Sequence, residues 1–197
     1  VTEGVGQLQA ALELAEANAD ETNAAQIAHD MGVMEMMRGQ LASAQNQYRR
    51  ALGYWRKVGN ASALASTLQS LGVVHHHLGQ YAESEARFQE ALARAREVGD
   101  TRVEAYALAS QGDLYRDMGR YEDARASYTP AVDLATANED TRLVIYLLDA
   151  LANTCRLQGD VAQARQWLAE ASSQVREDEM SYEAGLARLS RGILAWQ

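Results

Sequence analysis

The chain has 197 residues, enough for one large or two small domains with a sizeable core. It carries 18 Lys and Arg against 27 Asp and Glu, a formal net charge of −9. This acid excess disfavours direct binding to nucleic acid and to anionic membrane surfaces. No apolar run is long enough to span a membrane, and the one cysteine, Cys155, excludes an intramolecular disulfide and a cysteine-rich metal site.

The composition favours helices, because Ala, Leu, Glu, Gln and Arg dominate while β-branched residues are scarce. The sequence opens without a basic-then-apolar leader, so we expect a reducing, cytoplasmic setting. Val1 and the apolar residues 193–196 are typical of the ends of an excised fragment. These observations give an all-α fold class and a soluble setting as expectations.

The glycines show that the chain is a repeat, because Gly39, Gly79, Gly119 and Gly159 follow one another at an interval of 40 residues. Three other columns share this period. A column of small residues comprises Gly32, Gly72, Gly112 and Ala152. A column of large residues comprises Tyr48, Phe88, Tyr128 and Leu168, and a third column comprises Ala51, Ala91, Ala131 and Ala171. The small columns predict closely packed helices, with the large column filling the wider gap between them.

Taken in chain order, the period predicts a half-repeat at 1–20, then repeats at 21–60, 61–100, 101–140 and 141–180, then a half-repeat at 181–197. Each repeat is predicted to hold two antiparallel helices of about 17 residues, which gives about ten helices in one domain. The Gly39 series fits C-caps that reverse the chain. Pro130 is expected to kink or interrupt the second helix of its repeat, because it cannot donate to the Ala126 carbonyl.

The series Leu71-Gly72, His75, Gly79, Tyr81, Ser84, Phe88 and Ala91 resembles the tetratricopeptide repeat in a 40-residue form. This longer form is similar to the repeat domains of bacterial LuxR-type and maltose-activator-like regulators, and to Leu-Gly-Asn-repeat scaffolds. The resemblance implies a right-handed α-solenoid, whose first helices line a concave groove that binds protein or peptide ligands. It implies no enzyme activity and no cofactor, and we expect no metal.

The resemblance also implies which residues line this groove. In the first two repeats they are His29, Val33, Met36, Met37, Val73, His76 and His77. In the next two they are Tyr106, Asp113, Arg116, Tyr146, Asn153 and Arg156. The first half of this set is apolar with Met and His, and the second half is polar. Asn153 and Arg156 are three residues apart, so together they can hold a peptide backbone or a carboxylate.

Three local features leave alternatives open. The run His75-His76-His77 is expected to be structural or solvated, with ligand contact, pH-sensitive binding or a metal as alternatives. Cys155 shares a column with His75 and is predicted to be a buried, inert thiol. The helix carrying Arg49, Arg50, Arg56 and Lys57 has a basic face, which is either solvated or docked on an acidic partner.

The sequence therefore predicts a non-catalytic protein-binding or peptide-binding module of a cytoplasmic signalling protein. One alternative is the sensor or regulatory segment of a multidomain bacterial transcription regulator. The other is a self-assembling scaffold that forms a homodimer or stacks through its terminal half-repeats.

Overall fold

The computed structural model describes residues 2–174, and every regular element among them is an α-helix. The helices are α1 (Thr2–Ala17), α2 (Glu21–Met37), α3 (Leu41–Val58), α4 (Ala61–His77), α5 (Tyr81–Val98), α6 (Thr101–Asp117), α7 (Tyr121–Ala137), α8 (Thr141–Leu157) and α9 (Val161–Ser173). The all-α class is confirmed, and the nine helices of this part of the chain are close to the ten predicted. The predicted half-repeat at 181–197 lies outside the described residues.

The helix contacts divide the chain into two compact units, Val1–Val103 and Glu104–Gln197, called unit 1 and unit 2 below. In unit 1, α2 packs on α3 and α4 packs on α5, while α1 lies against α2. In unit 2, α8 packs on both α7 and α9. The interpretation of the whole chain as one domain stays a prediction.

The turns inside the helix pairs have the conformation that their glycines favour. Gly39, Gly79, Gly119 and Gly159 have φ between +71° and +84°, in the left-handed region. The amide of Gly39 donates to the Met36 carbonyl at 2.9 Å, and Gly79 and Gly119 repeat this bond one and two periods later. The predicted C-caps are therefore confirmed, and they let each first helix reverse directly into its partner.

The repeat columns form the core of the helix pairs. The residues of the large column, Tyr48, Phe88, Tyr128 and Leu168, are at most 2% exposed. The three aromatic rings of this column each face a glycine of the small column. A Cβ added to Gly32, Gly72 or Gly112 would stand within 2.6 Å of the opposite ring. The glycines therefore make room for a ring of the second helix, which is a more specific role than close backbone approach.

The expectation for Pro130 was wrong in one respect, because α7 continues through it from Tyr121 to Ala137 without interruption. Proline costs this helix one hydrogen bond, to the Ala126 carbonyl. Tyr128, Ala131 and Ala135 are fully buried on either side of it. The burial of these residues offsets the loss of that hydrogen bond, so the helix continues.

Candidate functional site

The apolar half of the predicted groove lies in unit 1, on α2 and α4. Val33 is 38% exposed and Met37 is 84% exposed, while Met36 and Val73 are half-buried. A side chain as exposed as Met37 contributes little to the core. The first helices of this unit therefore present soft, adaptable apolar groups to solvent.

His29 is held between three helices of unit 1. Its Nδ1 lies 3.0 Å from Oγ1 of Thr67 on α4, and its ring meets the ring of Tyr48 edge-on at 5.3 Å. Because Thr67 Oγ1 already donates to the Ala63 carbonyl at 2.8 Å, it accepts from a protonated Nδ1 of a neutral imidazole. Burial lowers the pKa of His29, while the adjacent Asp30 acts in the opposite direction. His29 is therefore mainly an inter-repeat contact.

The three consecutive histidines have separate surroundings. His75 is buried, with Nδ1 2.6 Å from Oε1 of Gln80, as its packing column predicts. The rings of His76 and His77 are stacked at 5.8 Å, and His76 also lies 6.0 Å from the ring of Tyr81. His77 is exposed at the end of α4. Only His76 and His77 are therefore placed to meet a ligand.

Four side chains of unit 2 form a hydrogen-bonded group that we call the Asp113 cluster: Asp113, Arg116, Tyr128 and Tyr146. Oδ1 of Asp113 accepts from the Tyr128 hydroxyl at 2.8 Å and lies 3.0 Å from Nη1 of Arg116. Oδ2 of Asp113 accepts from the Tyr146 hydroxyl at 2.5 Å. Arg116 Nη1 also donates to the Tyr128 hydroxyl at 3.1 Å. The cluster thus joins α6, α7 and α8 through one carboxylate.

The electrostatics of the Asp113 cluster keep its donors protonated. Burial, reinforced by the charge of Asp113, raises the pKa of both Tyr128 and Tyr146 well above the ordinary value for a phenol. Burial alone would lower the pKa of the Arg116 guanidinium. The nearby Tyr128 and Asp113 outweigh burial, so the pKa of Arg116 is raised. The two hydroxyls and the guanidinium therefore donate at any physiological pH.

Tyr128 is the member of this cluster that the sequence analysis missed, since its column predicted only a packing role. Its ring passes over Gly112, and its hydroxyl emerges beside Asp113 and Arg116 on the first helix. The signal was the hydroxyl itself, because a buried tyrosine usually finds a hydrogen-bond partner where phenylalanine would only fill space. Repeat two has Phe88 in this column, and its ring carries no hydroxyl that could bond to the first helix.

One further predicted residue of unit 2, Tyr106, is placed by a hydrogen bond. The Tyr106 hydroxyl donates at 2.8 Å to Oδ2 of Asp140, whose Oδ1 caps α8 by accepting from the Leu143 amide. Tyr106 is 38% exposed and Tyr146 is 37% exposed. Both tyrosines therefore have an anchored hydroxyl and an accessible ring.

Asn153 and Arg156 contact each other on α8. Nε and Nη2 of Arg156 donate to Oδ1 of Asn153 at 3.2 and 2.8 Å. The carbonyl oxygen of Asn153 is thereby occupied. Among the residues that the structure describes, Nδ2 of Asn153 and Nη1 of Arg156 form no hydrogen bond, and both side chains are half-buried on α8.

The basic face of α3 is largely neutralised within unit 1. Arg50 pairs with Glu16 at 2.8 Å, and the Tyr54 hydroxyl donates to the same Glu16 oxygen. Lys57 pairs with Glu21 at 2.9 Å, and Arg56 lies 3.7 Å from Glu90. These pairs disfavour the alternative that this face docks on an acidic partner.

Metal sites, a reactive thiol and membrane-spanning helices are the other site types to consider in residues 2–174. No three or more His, Cys, Asp or Glu side chains of this range are grouped so that they could hold a metal ion. Cys155 is buried, and this burial raises the pKa of its thiol. Among the described helices, none is long and apolar enough to cross a membrane.

Comparison with solved structures places this arrangement among known folds. BtubC (BKLC) from P. vanneervenii is similar with a TM-score of 0.78 and 15% identity, over 97% of this chain and 84% of that one. Aspartyl phosphate phosphatase F from Bacillus subtilis is similar with a TM-score of 0.81 and 12% identity, over 95% and 54%. The apo form of RapI is similar with a TM-score of 0.75 and 16% identity, over 94% and 57%.

At these identities the likeness is one of fold, and the chain spans little more than half of the length of the last two structures. No curated protein sequence matches the chain significantly. The family model for the tetratricopeptide repeat matches residues 23–97, 63–137 and 103–177, which together cover most of the chain. The chain therefore belongs to the tetratricopeptide repeat family.

Proposed function

We propose that this chain is a non-catalytic interaction module that binds a segment of a partner protein on its first helices. The observation that carries the proposal is the pair of open donors on Asn153 and Arg156, which lies on the same helix as Tyr146. Two adjacent donors match the carbonyl groups of an extended chain or a carboxylate. The exposed Val33 and Met37 supply apolar contacts in unit 1.

The Asp113 cluster supports this function by fixing the first helices of unit 2. Its carboxylate is shared by groups from α6, α7 and α8, so the surface beside it is ordered before a ligand arrives. Preorganised surfaces lose less entropy on binding. We assign Asp113, Arg116 and Tyr128 to positioning, and Tyr106, Tyr146, Asn153 and Arg156 to contact.

Selection of peptides from a displayed random library on the immobilised chain tests the proposal. We expect selected peptides to bind about tenfold more weakly to Asn153→Ala and Arg156→Ala, the range of a contact at the centre of an interface. The matched control is Arg94→Ala, an exposed arginine of α5 that pairs with Glu97 on the same helix. Failure to enrich any peptide, or equal loss of affinity in the control, would refute the proposal.

A cytoplasmic signalling role is the setting that we propose for this module. The second candidate is a regulatory segment of a longer transcription regulator, which rests on the resemblance of the 40-residue repeat to the repeat domains of LuxR-type regulators. Fusing the chain to a DNA-binding reporter domain and screening for partner-dependent changes in transcription tests it. The proposed self-association through the two terminal half-repeats is tested by sedimentation velocity at increasing concentration.

A further inference from the structure

The first helices of unit 1, α2 and α4, touch each other over a small area, because most of their packing runs through α3, which contacts both. His29 and Thr67 place a hydrogen bond across this small contact, with Nδ1 of the imidazole 3.0 Å from Oγ1. The ring of His29 also lies edge-on against Tyr48, whose hydroxyl bonds with Ser70 on α4. The His29–Thr67 bond is therefore a main direct link between α2 and α4.

The hydrogen bonds around His29 fit a neutral imidazole. Because Thr67 Oγ1 donates to the Ala63 carbonyl at 2.8 Å, His29 donates from Nδ1 and keeps Nε2 as the nitrogen without a proton. Uptake of a proton creates a second N–H at Nε2, and no group of the described residues accepts a hydrogen bond from that atom. The nearest carboxylate on the same helix, Asp30, already accepts from Gln26 at 2.8 Å. The site therefore offers the imidazolium no hydrogen bond that the neutral ring lacks.

The three helices around His29 supply little compensation for a positive charge. On α3 the titratable neighbour is Tyr48, whose burial raises its pKa to about 12, so the phenol stays uncharged. On α4 the neighbour is Thr67, which is uncharged and fully buried. Asp30 on α2 favours the imidazolium, but burial outweighs it and lowers the pKa of His29. A protonated ring is better solvated when it turns toward water, and this movement separates Nδ1 from Thr67.

Unit 2 shows that this place in the repeat does not require a polar pair. Ala109 on α6 and Leu147 on α8 follow His29 and Thr67 by 80 residues, which is two periods. Both residues are at most 4% exposed. Since an apolar pair takes up no proton, the first helices of unit 2 pack at this place without any dependence on pH. The titratable contact is therefore a feature of unit 1 and is not a requirement of the fold.

We propose that His29 makes the contact between α2 and α4 sensitive to pH: the neutral ring holds the two helices together, and protonation releases them. The contact is complete above the ordinary pKa of histidine, about 6.5, and is lost as the pH falls toward the lower pKa of the folded chain. The two helices carry Val33 and Val73, so acid changes the apolar half of the predicted groove. This response goes beyond the proposed function, because it belongs to unit 1 with or without a bound partner.

Hydrogen exchange of the full chain, followed by mass spectrometry at about pH 7.5 and about pH 5.5, tests the proposal. Protection factors are used, since they correct for the intrinsic effect of pH on exchange. We expect protection of α2 and α4 to fall at least about threefold on acidification, while α6 and α8 change less than about twofold. The double variant His29→Ala/Thr67→Leu introduces the apolar pair of unit 2 and should remove the acid response. His77→Gln changes an exposed histidine of α4 and should keep it.

Three outcomes would overturn the proposal: unchanged protection of α2 and α4 in the parent chain, an equal fall in α6 and α8, or a fall that persists in the double variant. Circular dichroism shows whether each variant is folded. If the double variant does not fold, His29→Asn takes its place, since its amide can donate to Thr67 but is not protonated in this pH range. Protection of α2 and α4 in His29→Asn should then be the same at both pH values, and an acid response like that of the parent would refute the role of His29.

Discussion

The ring of Tyr128 lies directly on the backbone of Gly112, where an added Cβ would stand 2.4 Å from Cε1 of the ring. The absence of a side chain at Gly112 lets this ring cross from α7 to α6 and deliver its hydroxyl to Asp113 at 2.8 Å. One residue pair therefore serves both the core of the repeat and the polar surface of unit 2.

Gly112→Ala tests this relationship. Overpacking a buried ring costs about 1–3 kcal/mol, while Gly→Ala inside a helix returns about 0.5–1 kcal/mol. We expect a net loss of about 1–2 kcal/mol in the free energy of unfolding, measured by urea denaturation. Gly53→Ala in α3 is the control, since nothing lies within 4 Å of its added Cβ, and it should stabilise the chain. Equal stabilisation by both changes would contradict the steric account.

Tyr128→Phe separates the hydroxyl from the ring. The change removes a hydrogen bond to a carboxylate and leaves the packing on Gly112, so we expect a loss of about 1.5–3 kcal/mol in the free energy of unfolding. Tyr48→Phe is the matched control in unit 1, where the hydroxyl bonds with the uncharged Ser70, and it should cost about 0.5–1.5 kcal/mol. If both variants lose equal stability, the special role of Asp113 is wrong.

His29 predicts a pH dependence. Its pKa in the folded chain is below the ordinary value, because burial disfavours the imidazolium. The unfolded chain therefore binds more protons as the pH falls below about 6.5, so stability is complete above that pH and is lost as the pH falls toward the folded pKa. The groups around it are Asp30 on its own helix, Tyr48 on α3, and Thr67 and Ser70 on α4.

Urea denaturation of His29→Asn and the parent chain between about pH 5 and pH 7.5 measures this contribution. The variant should lose less stability on acidification than the parent does. His77→Gln replaces an exposed histidine and should keep the parent's pH profile. A parallel pH profile for the parent and His29→Asn would refute the assignment to His29.

Pro130→Ala should stabilise the chain. It restores an amide that can donate to the Ala126 carbonyl inside the continuous helix α7, and proline costs about 3 kcal/mol relative to alanine in a helix interior. Since Pro130 is half-buried, we expect a gain of about 1–3 kcal/mol in the free energy of unfolding. The control is Thr129→Ala, which changes an exposed residue next to Pro130. A loss of stability in Pro130→Ala would show instead that packing of the proline ring dominates.

Glu139 offers a second stabilising change. It has φ of +57° at the position where Gly59 and Gly99 have +77° and +68°. A left-handed conformation costs a residue with a side chain about 1–2 kcal/mol, so Glu139→Gly should raise the midpoint of thermal unfolding. Gly99→Ala is the reciprocal control and should lower it. A lowered midpoint for Glu139→Gly, or a raised midpoint for Gly99→Ala, would contradict the account of strain at this turn.

The periodic glycines and the small and large columns were enough to predict the helix pairs, their turns and most of their core. Local rules carry this information, since left-handed turns favour glycine and helix contacts require side chains of complementary size. The buried Tyr48, Phe88 and Tyr128 follow from their columns. The same period placed Asp113, Arg116 and Tyr146 on the first helices, as the family resemblance implied.

Only the tertiary structure decided which of these groups meet. The sequence does not state that Tyr128 reaches Asp113 past Gly112, or that Tyr146 bonds back to α6, because both contacts depend on how neighbouring helices pack. Local backbone chemistry predicted that Pro130 kinks or interrupts its helix, but α7 is not interrupted there, and buried residues flank the proline on both sides. Periodicity fixes which residues share a column, whereas the direction and hydrogen bonds of each side chain depend on the helices packed around it.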